Sequence, residues 1–345
     1  MAIQIQEILK TGLEMGGSDI FVIPGSPVSL KRGGEIFPIT SDRVMPDSSK
    51  ELLGQIYELA NRDINRLLEE GDDDFSFSVK GAGRFRCNAY KQRSSLAAVL
   101  RIVTFGLPDS ERMHIPQPVM DLYRQKNGMI LVTGPAGSGK TTTLACLIDQ
   151  INQKRSGHII TIEDPIEYIH SHQKCLVSQR ELDLDTESYE TALRAALRQT
   201  PDVILLGEMR DFETIQTALT AAETGQLLLS TLHTIGAAKT IDRIVDVFPA
   251  GQQAQVRVQL SMVLKAVVSQ RLLPVVNGGL EPVFEIMIVN PAIQNMIREG
   301  KIHQMDNVIY SGGDAGMRTM DSDILRLYKA GRITKETALT YAVNP

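Results

Sequence analysis

The sequence of 345 residues predicts an α/β fold, in which a mostly parallel sheet covered by helices follows a smaller α+β domain. From Met129 onward, short apolar runs alternate with helical stretches, which is typical of strand–helix–strand units. These runs are apolar on both faces, as a sheet covered by helices on both sides requires. Before Gly106, hairpin-like strands punctuated by glycine and proline stand next to helical stretches, which indicates a separate mixed domain.

The first predicted domain spans residues 1–105. Its predicted elements are a helix over Ile3–Met15, hairpins over Ile20–Ile39, two short helices over Ser48–Glu70 and strands over Phe75–Val103. Pro24-Gly25 and Gly33-Gly34 are the predicted hairpin turns, because glycine adopts the positive φ angles that tight turns need. Residues 106–118 contain three prolines and little periodicity, so they are the predicted linker.

The second predicted domain spans residues 119–345 and carries the strand–helix alternation. Its predicted elements are strands over Met129–Thr133, Ile159–Ile162, Val203–Leu206 and Leu227–Thr231, and helices over Thr141–Asn152, Tyr189–Arg198 and Asp211–Glu223. Beyond Ala237 the sequence predicts a mainly helical region with one strand-like insert over Glu281–Val289.

Composition excludes several classes of protein. The formal net charge of -5 argues against a general nucleic-acid binder. The three cysteines are scattered and include no C-x-x-C pair, which argues against a disulfide framework or a zinc site and suits a reducing cytoplasm. No stretch approaches the roughly 20 apolar residues of a membrane span, and the N-terminus lacks a signal-peptide pattern. We therefore expect a cytoplasmic protein without direct membrane insertion.

A phosphate-binding loop follows the first strand of the second domain. The residues Gly134, Pro135, Ala136, Gly137, Ser138, Gly139, Lys140 and Thr141 form a complete G-x-x-x-x-G-K-[ST] motif, and Thr142 continues it. Glycines let backbone N–H groups curl around a phosphate, and the following helix adds the positive end of its dipole. Lys140 reaches the β/γ oxygens, and the Thr141 hydroxyl binds Mg²⁺. The motif therefore predicts nucleotide binding, with ATP and Mg²⁺ as cofactors.

Polar side chains follow three strands of the predicted sheet. Glu163 and Asp164 end one strand before Pro165, and Glu208 follows Val203–Leu206 after a single glycine. In a parallel sheet, neighbouring strand ends bring such acids to the same edge, where they hold a metal's water shell or orient the attacking water. His233, flanked by hydroxyl residues after another strand, is a candidate sensor of the γ-phosphate.

Four segments resemble the motifs of the secretion and type IV pilus ATPases. "GPAGSGKTTTLA", "IITIEDPIEYIH", "LRQTPDVILLGEMRD" and "LLLSTLHTIGAAKTIDRIVDVFP" are similar in order and spacing to the Walker A, Asp box, Walker B and His box of that family. "PAIQNMIREGKIHQM" resembles a C-terminal segment of its pilus retraction members, and "GRFRCNAYKQ" resembles their PAS-like first domain. The likeness extends over essentially the whole chain.

The resemblance implies a homohexamer whose subunits join a PAS-like domain to a RecA-like ATPase domain. It implies Glu163 as general base, Glu208 as the acid that supports Mg²⁺ through water, and His233 as the His-box residue. It places Arg84 and Arg86 among arginines that approach the phosphates. It also implies an inner-membrane pilus platform protein as partner, other pilus ATPases as further candidates, and a peripheral position at the inner face of the cell membrane.

Departures from the family pattern leave more than one function open. Gln226 replaces the first His-box histidine, and Phe21 stands where a histidine is common near the N-terminus, which leaves room for an accessory retraction ATPase. A pilus extension or type II secretion ATPase would usually carry a four-cysteine motif that this sequence lacks. A RecA-like nucleic-acid motor and a non-hydrolysing scaffold that only binds nucleotide also stay open. Arg194 and Arg198 share a predicted helix face and are candidates for a subunit interface.

Overall fold

The chain forms two compact units. The computed structural model describes residues 4–103 and 106–343. Residues 1–106 with 167–169 make up one unit, and residues 107–166 with 170–345 the other. Residue 105, where the sequence predicts the first domain to end, lies outside the described residues, as do Ile3 of the predicted first helix and the last two residues.

The N-terminal unit is an antiparallel sheet with helices packed on it. Its helices are α1 (Ile5–Glu14), α2 (Pro46–Leu59) and α3 (Asn65–Glu70). Its strands are β1 (Asp19–Val22), β2 (Pro27–Arg32), β3 (Glu35–Arg43), β4 (Asp72–Val79), β5 (Gly83–Gln92) and β6 (Ser95–Val103), in the sheet order β3-β2-β1-β6-β5-β4. This is the smaller α+β, PAS-like part of the predicted fold, and its predicted hairpins and helices are confirmed.

The β2–β3 hairpin shows why these residues fold as they do. Arg32 pairs with Glu35, so Gly33 and Gly34 alone form the turn, with φ angles of 61° and 91°. Both angles lie in the left-handed region that glycine adopts without steric cost. Apolar side chains of α1, α2 and the sheet then bury a core around Phe85, which is fully inaccessible to solvent.

The second unit is built on a seven-stranded sheet. Its strands are β7 (Gly128–Thr133), β8 (Gly157–Glu163), β9 (Cys175–Glu181), β10 (Val203–Leu206), β11 (Leu227–Leu232), β12 (Leu264–Pro274) and β13 (Leu280–Ile288), in the order β13-β12-β7-β11-β10-β8-β9. Its helices are α4 (Gln117–Met120), α5 (Lys140–Lys154), α6 (Tyr189–Ala196), α7 (Phe212–Glu223), α8 (Ala237–Asp246), α9 (Ala250–Val263), α10 (Pro291–Glu299), α11 (Met305–Ser311), α12 (Met320–Lys329) and α13 (Lys335–Tyr341).

The sheet is parallel except at its edge strand β13, which pairs antiparallel with β12. Strand β10 shows how both faces are buried: Ile204 and Leu206 pack in the core with α6 and α7, whereas Val203 and Leu205 pack in the core with α5. A continuous apolar run is therefore what this position demands. The predicted α/β class with a RecA-like second domain is confirmed.

Two strands and several element ends differ from the sequence prediction. Residues 264–274, predicted within the helical region, form β12 instead, and β9 was not predicted. Helix α9 ends at Val263 and β12 begins at the next residue, so no glycine or proline marks the change. Helix α6 ends at Ala196, two residues before the predicted Arg198. Within residues 4–103 and 106–343, no helix is both long and apolar enough to cross a membrane.

Candidate active site

The phosphate loop connects the end of β7 to the start of α5. Gly134, Gly137 and Gly139 have φ angles of 143°, 73° and 88°, which non-glycine residues rarely adopt. Space is restricted as well, because a Cβ atom on Gly134 would lie 2.2 Å from the backbone oxygen of Gln270. A Cβ on Gly139 would lie 2.8 Å from Gln270 Nε2. The backbone conformation therefore favours glycine at all three positions, and at Gly134 the Gln270 backbone also leaves no space for a side chain.

The polar groups of the loop fit a phosphate ligand. Lys140 is buried, and its Nζ donates hydrogen bonds of 3.0 Å to the carbonyl oxygens of Gly134 and Pro135. The Ser138 hydroxyl oxygen is buried and has no hydrogen-bond partner within the described part of the chain. Helix α5 begins at Lys140, so its free N–H groups and positive dipole end point into the same loop. A bound phosphate would satisfy these donors.

The remaining predicted loop residues lie where the motif expects them. Thr141 and Thr142 are half-buried in the first turn of α5. Pro135 and Ala136 border an open hollow of about 460 Å³ beside the loop. The other residues that line this hollow are Gly137, Ser138, Ile235, Arg271, Leu272, Leu280, Thr340 and Tyr341. The hollow therefore adjoins the phosphate loop.

Gln270 is a site residue that the sequence did not reveal. Its side-chain oxygen Oε1 accepts a 2.7 Å hydrogen bond from the Thr143 hydroxyl in the first turn of α5. It lies on β12, which pairs with β7 and thus borders the loop. Because β12 was predicted as helix, Gln270 could be found only once the strand order was known.

Glu163 is the last residue of β8 and is buried, with 7% of its surface exposed. Its Oε1 accepts hydrogen bonds from the Thr161 hydroxyl (2.6 Å) and from Gln179 Nε2 (3.2 Å). Both donors are neutral side chains of strands β8 and β9. Asp164 and Pro165 follow directly, so the strand ends where the sequence predicts it to end.

Glu208 lies on the neighbouring strand end, two residues after β10 ends at Leu206. The adjacent Gly207 donates its backbone N–H to the Ile162 oxygen at 2.8 Å, which holds the ends of β10 and β8 together. The carboxylate forms an ion pair with Arg210 and contacts His233 Nε2 at 3.1 Å. Partial burial would raise the pKa of Glu208, but hydrogen bonds from Arg210 and His233 outweigh it and lower that pKa below its usual value.

The structure therefore brings Glu163, Glu208 and His233 to one edge of the sheet. The His233 side chain is exposed just beyond the end of β11, which lies between β7 and β10. Strand β10 is thus separated from β7 by β11, and Gly207 after β10 does not adjoin the phosphate loop that follows β7. A Cβ on Gly207 would meet the Tyr189 hydroxyl at 2.8 Å and the Ile162 oxygen at 3.2 Å.

The candidate arginines lie elsewhere in the chain. Arg84 and Arg86 are on β5 of the N-terminal unit, two residues apart and on one face of the strand. Arg86 forms a two-pronged ion pair with Asp74, with distances of 3.0 Å and 2.6 Å. On α6 of the second unit, Arg194 pairs with Glu190 at 2.6 Å. Arg198 is exposed beyond the end of that helix, so the two arginines do not share one helix face as predicted.

A parallel sheet with a phosphate loop after one strand and carboxylates after two others defines the class of P-loop ATPases with a RecA-like domain. The chain belongs to the family of type II/IV secretion system proteins, whose family model matches residues 91–281. It binds nucleotide and is an ATPase of that family.

Several curated proteins are similar over most of this chain. The type IV pilus retraction ATPase PilT of Pseudomonas aeruginosa is 44% identical over 342 residues, which cover 99% of this chain and 98% of that protein. The type IV pilus ATPase PilU of the same species is 40% identical over 341 residues, covering 98% and 88%. A twitching motility protein of Neisseria gonorrhoeae is 47% identical over 303 residues, covering 87% and 81%.

Solved structures of related ATPases are similar in fold. The crystal structure of the pilus retraction motor PilT with bound ADP matches with a TM-score of 0.91 and 46% identity, covering 99% of this chain and 98% of that one. The ATPase DotB of Legionella pneumophila matches with a TM-score of 0.84 and 25% identity, covering 97% and 94%.

Proposed function

We propose that this protein is a hexameric motor that hydrolyses ATP to drive type IV pilus retraction and so twitching motility. The observation that carries the proposal is the 44% identity to a pilus retraction ATPase over 99% of the chain. The complete phosphate loop and the two strand-end acids support it, because a motor of this kind has to hydrolyse its nucleotide and not only bind it.

Each residue of the site has a role in this proposal. Lys140 and the loop N–H groups hold the phosphates, and Lys140 exchanges its contacts with the Gly134 and Pro135 carbonyls for phosphate oxygens. Thr141 and Glu208 would hold Mg²⁺, Glu208 through a water molecule. When bound, the ion neutralises charge on the phosphate oxygens. His233, which contacts Glu208, is placed to respond to the γ-phosphate.

Glu163 is the proposed general base. Its partners Thr161 and Gln179 are neutral donors, so no cation competes in those contacts for a proton that the carboxylate takes from water. Glu208, by contrast, is paired with Arg210, which keeps it ionised and makes it a poorer proton acceptor. Glu163 is therefore the proposed base, and Glu208 is the acid proposed to support the metal ion.

Arg84 and Arg86 are the proposed phosphate-stabilising arginines, arriving when ATP closes the N-terminal domain onto a neighbouring ATPase domain. A guanidinium can stabilise the charge of a transferring phosphoryl group, and a group that arrives only on closure couples hydrolysis to motion. Arg86 pairs with Asp74, and both side chains are more than one-third exposed. Because solvent screens a partly exposed pair, phosphate oxygens can replace Asp74 as partners of this guanidinium.

The partners and location follow from the same proposal. Six copies would form a ring, located in the cytoplasm at the inner face of the cell membrane, and would pass their motion to a membrane-embedded pilus platform protein. Other pilus ATPases are further candidate partners. An accessory retraction ATPase is the second candidate function, supported by 40% identity to PilU over 98% of the chain.

Deleting the encoding gene in its source bacterium tests the proposal. We expect cells that carry excess surface pili and do not twitch, because pili assemble but are not withdrawn. The wild-type gene should restore twitching, whereas a gene carrying Lys140→Ala should not. Cells without surface pili would show an extension motor instead. Normal piliation with a reduced pilus retraction force would favour the role of an accessory retraction ATPase.

A further inference from the structure

Gln179 on β9 lies between the proposed base and the loop that follows it. Its Nε2 donates to Glu163 Oε1 at 3.2 Å, and its Oε1 accepts the backbone N–H of His170 at 2.8 Å. We propose that Gln179 is a positioning residue that fixes the orientation of the Glu163 carboxylate for catalysis. The inference rests on the proposed function, since it assigns Glu163 the role of base.

The orientation of the Gln179 amide is determined by its partners. The His170 N–H can only donate, so the side-chain oxygen of Gln179 must face it. The NH₂ group of Gln179 then faces Glu163, where it can only donate. The backbone N–H of His170 therefore fixes the orientation of the Gln179 amide, and that orientation directs its NH₂ group to the Glu163 carboxylate.

The contact from Gln179 complements that from Thr161. Both donors meet the same oxygen, Oε1 of Glu163, from two adjacent strands. Two donors from different directions restrict rotation of a carboxylate more than either alone. A general base has to be aligned with the proton that it removes, and misplacement by about 1 Å can reduce a rate by about a hundredfold.

A purely structural role for Gln179 is the competing explanation. Two residues further along β9, Glu181 accepts the Ile166 N–H at 2.9 Å, so side chains of this strand hold the loop over residues 166–170 at two points. Gln179 would in that case matter only as an acceptor for the His170 N–H. The two explanations make different predictions for a substitution that preserves the acceptor and removes the donor.

Gln179→Glu is that substitution. It retains an oxygen for the His170 N–H but replaces the donor to Glu163 by a carboxylate, whereas Gln179→Met removes both contacts. We expect kcat for ATP hydrolysis to fall about tenfold to a hundredfold in both variants, with KM close to wild type. Gln179→Met adds no charge and should keep a melting temperature close to wild type, whereas the second carboxylate of Gln179→Glu repels Glu163 and should lower it. Gln173→Glu is the matched control: Gln173 is exposed near the same loop and contacts Asp149, so its kcat should be unchanged.

A double variant tests whether Gln179 acts through Glu163. When Gln179→Glu is added to Glu163→Gln, the single-turnover rate should not fall further, because both substitutions act through the Glu163 carboxylate. If Gln179→Glu has the wild-type kcat and only Gln179→Met is defective, the inference is wrong. Gln179 would then matter only through its contact with the His170 N–H. Additive losses would overturn the inference as well. Absence of turnover in the wild-type protein would instead contradict the proposed function.

Discussion

The two carboxylates at adjacent strand ends differ in their surroundings, and this difference supports the roles proposed for them. Glu163 is buried and accepts hydrogen bonds from the neutral side chains of Thr161 and Gln179, whereas Glu208 is paired with Arg210 and contacts His233. A cation next to a carboxylate favours its ionised form, which suits support of a metal ion more than proton transfer. The base is therefore expected at Glu163.

Glu163→Gln tests this assignment directly. The amide is similar in size to the carboxylate but does not accept a proton, so hydrolysis should slow by at least about a hundredfold. Binding of a fluorescent ATP analogue should remain within about threefold of wild type, because the phosphate loop is unchanged. Glu187→Gln, at an exposed position, is the matched control and should behave as wild type. Loss of nucleotide binding in Glu163→Gln would show that Glu163 is structural.

Some residues of the site can be identified from the sequence alone, and others cannot. The phosphate loop and Glu163 follow recognisable strands, so local pattern alone places them. Gln270 of β12 accepts a hydrogen bond from Thr143 of α5, and Gln179 of β9 donates one to Glu163 of β8, so both partners lie on other elements. Which strands are neighbours depends on the packing of the whole sheet, which no local pattern of apolar residues encodes.

At the scale of elements, the junction of β8 and β10 determines the distance between the two acids. Gly207 follows β10, and its N–H contacts the Ile162 oxygen of β8. A Cβ atom here would be 3.5 Å from Glu163 Cα as well as close to the Tyr189 hydroxyl. The sequence located both strands and helix α6, whose first residue is Tyr189, but it did not reveal that Tyr189 lies next to Gly207. The packing at this edge of the sheet therefore leaves no space for a side chain at Gly207.

Gly207→Ala should separate the strand ends or displace Tyr189. We expect a destabilisation of about 1–3 kcal/mol, as for an overpacked site, and a fall in kcat larger than that in nucleotide affinity. Thermal unfolding and steady-state turnover would measure the two effects. Gly251→Ala in α9 is the control, because a Cβ there meets no atom within 4 Å. A Gly207→Ala protein with wild-type stability and turnover would contradict this view of the junction.

At the scale of the whole molecule, the phosphate loop and the acids lie in one unit, and Arg84 and Arg86 lie in the other. The strand–helix alternation predicts the second unit and the hairpin pattern predicts the first, because each pattern follows from local burial. Strand β12 was missed because its apolar run continues directly from α9. A motor that couples hydrolysis to motion needs groups on separate parts, and this chain distributes its candidate groups in that way.

Every role proposed for this chain depends on turnover of ATP at the phosphate loop. Steady-state phosphate release at saturating ATP and Mg²⁺ tests it in wild type, Lys140→Ala and Lys154→Ala, the last an exposed lysine at the other end of α5. We expect sustained turnover for wild type and Lys154→Ala, and background phosphate release for a folded Lys140→Ala protein. Turnover by Lys140→Ala near the wild-type rate would contradict this expectation.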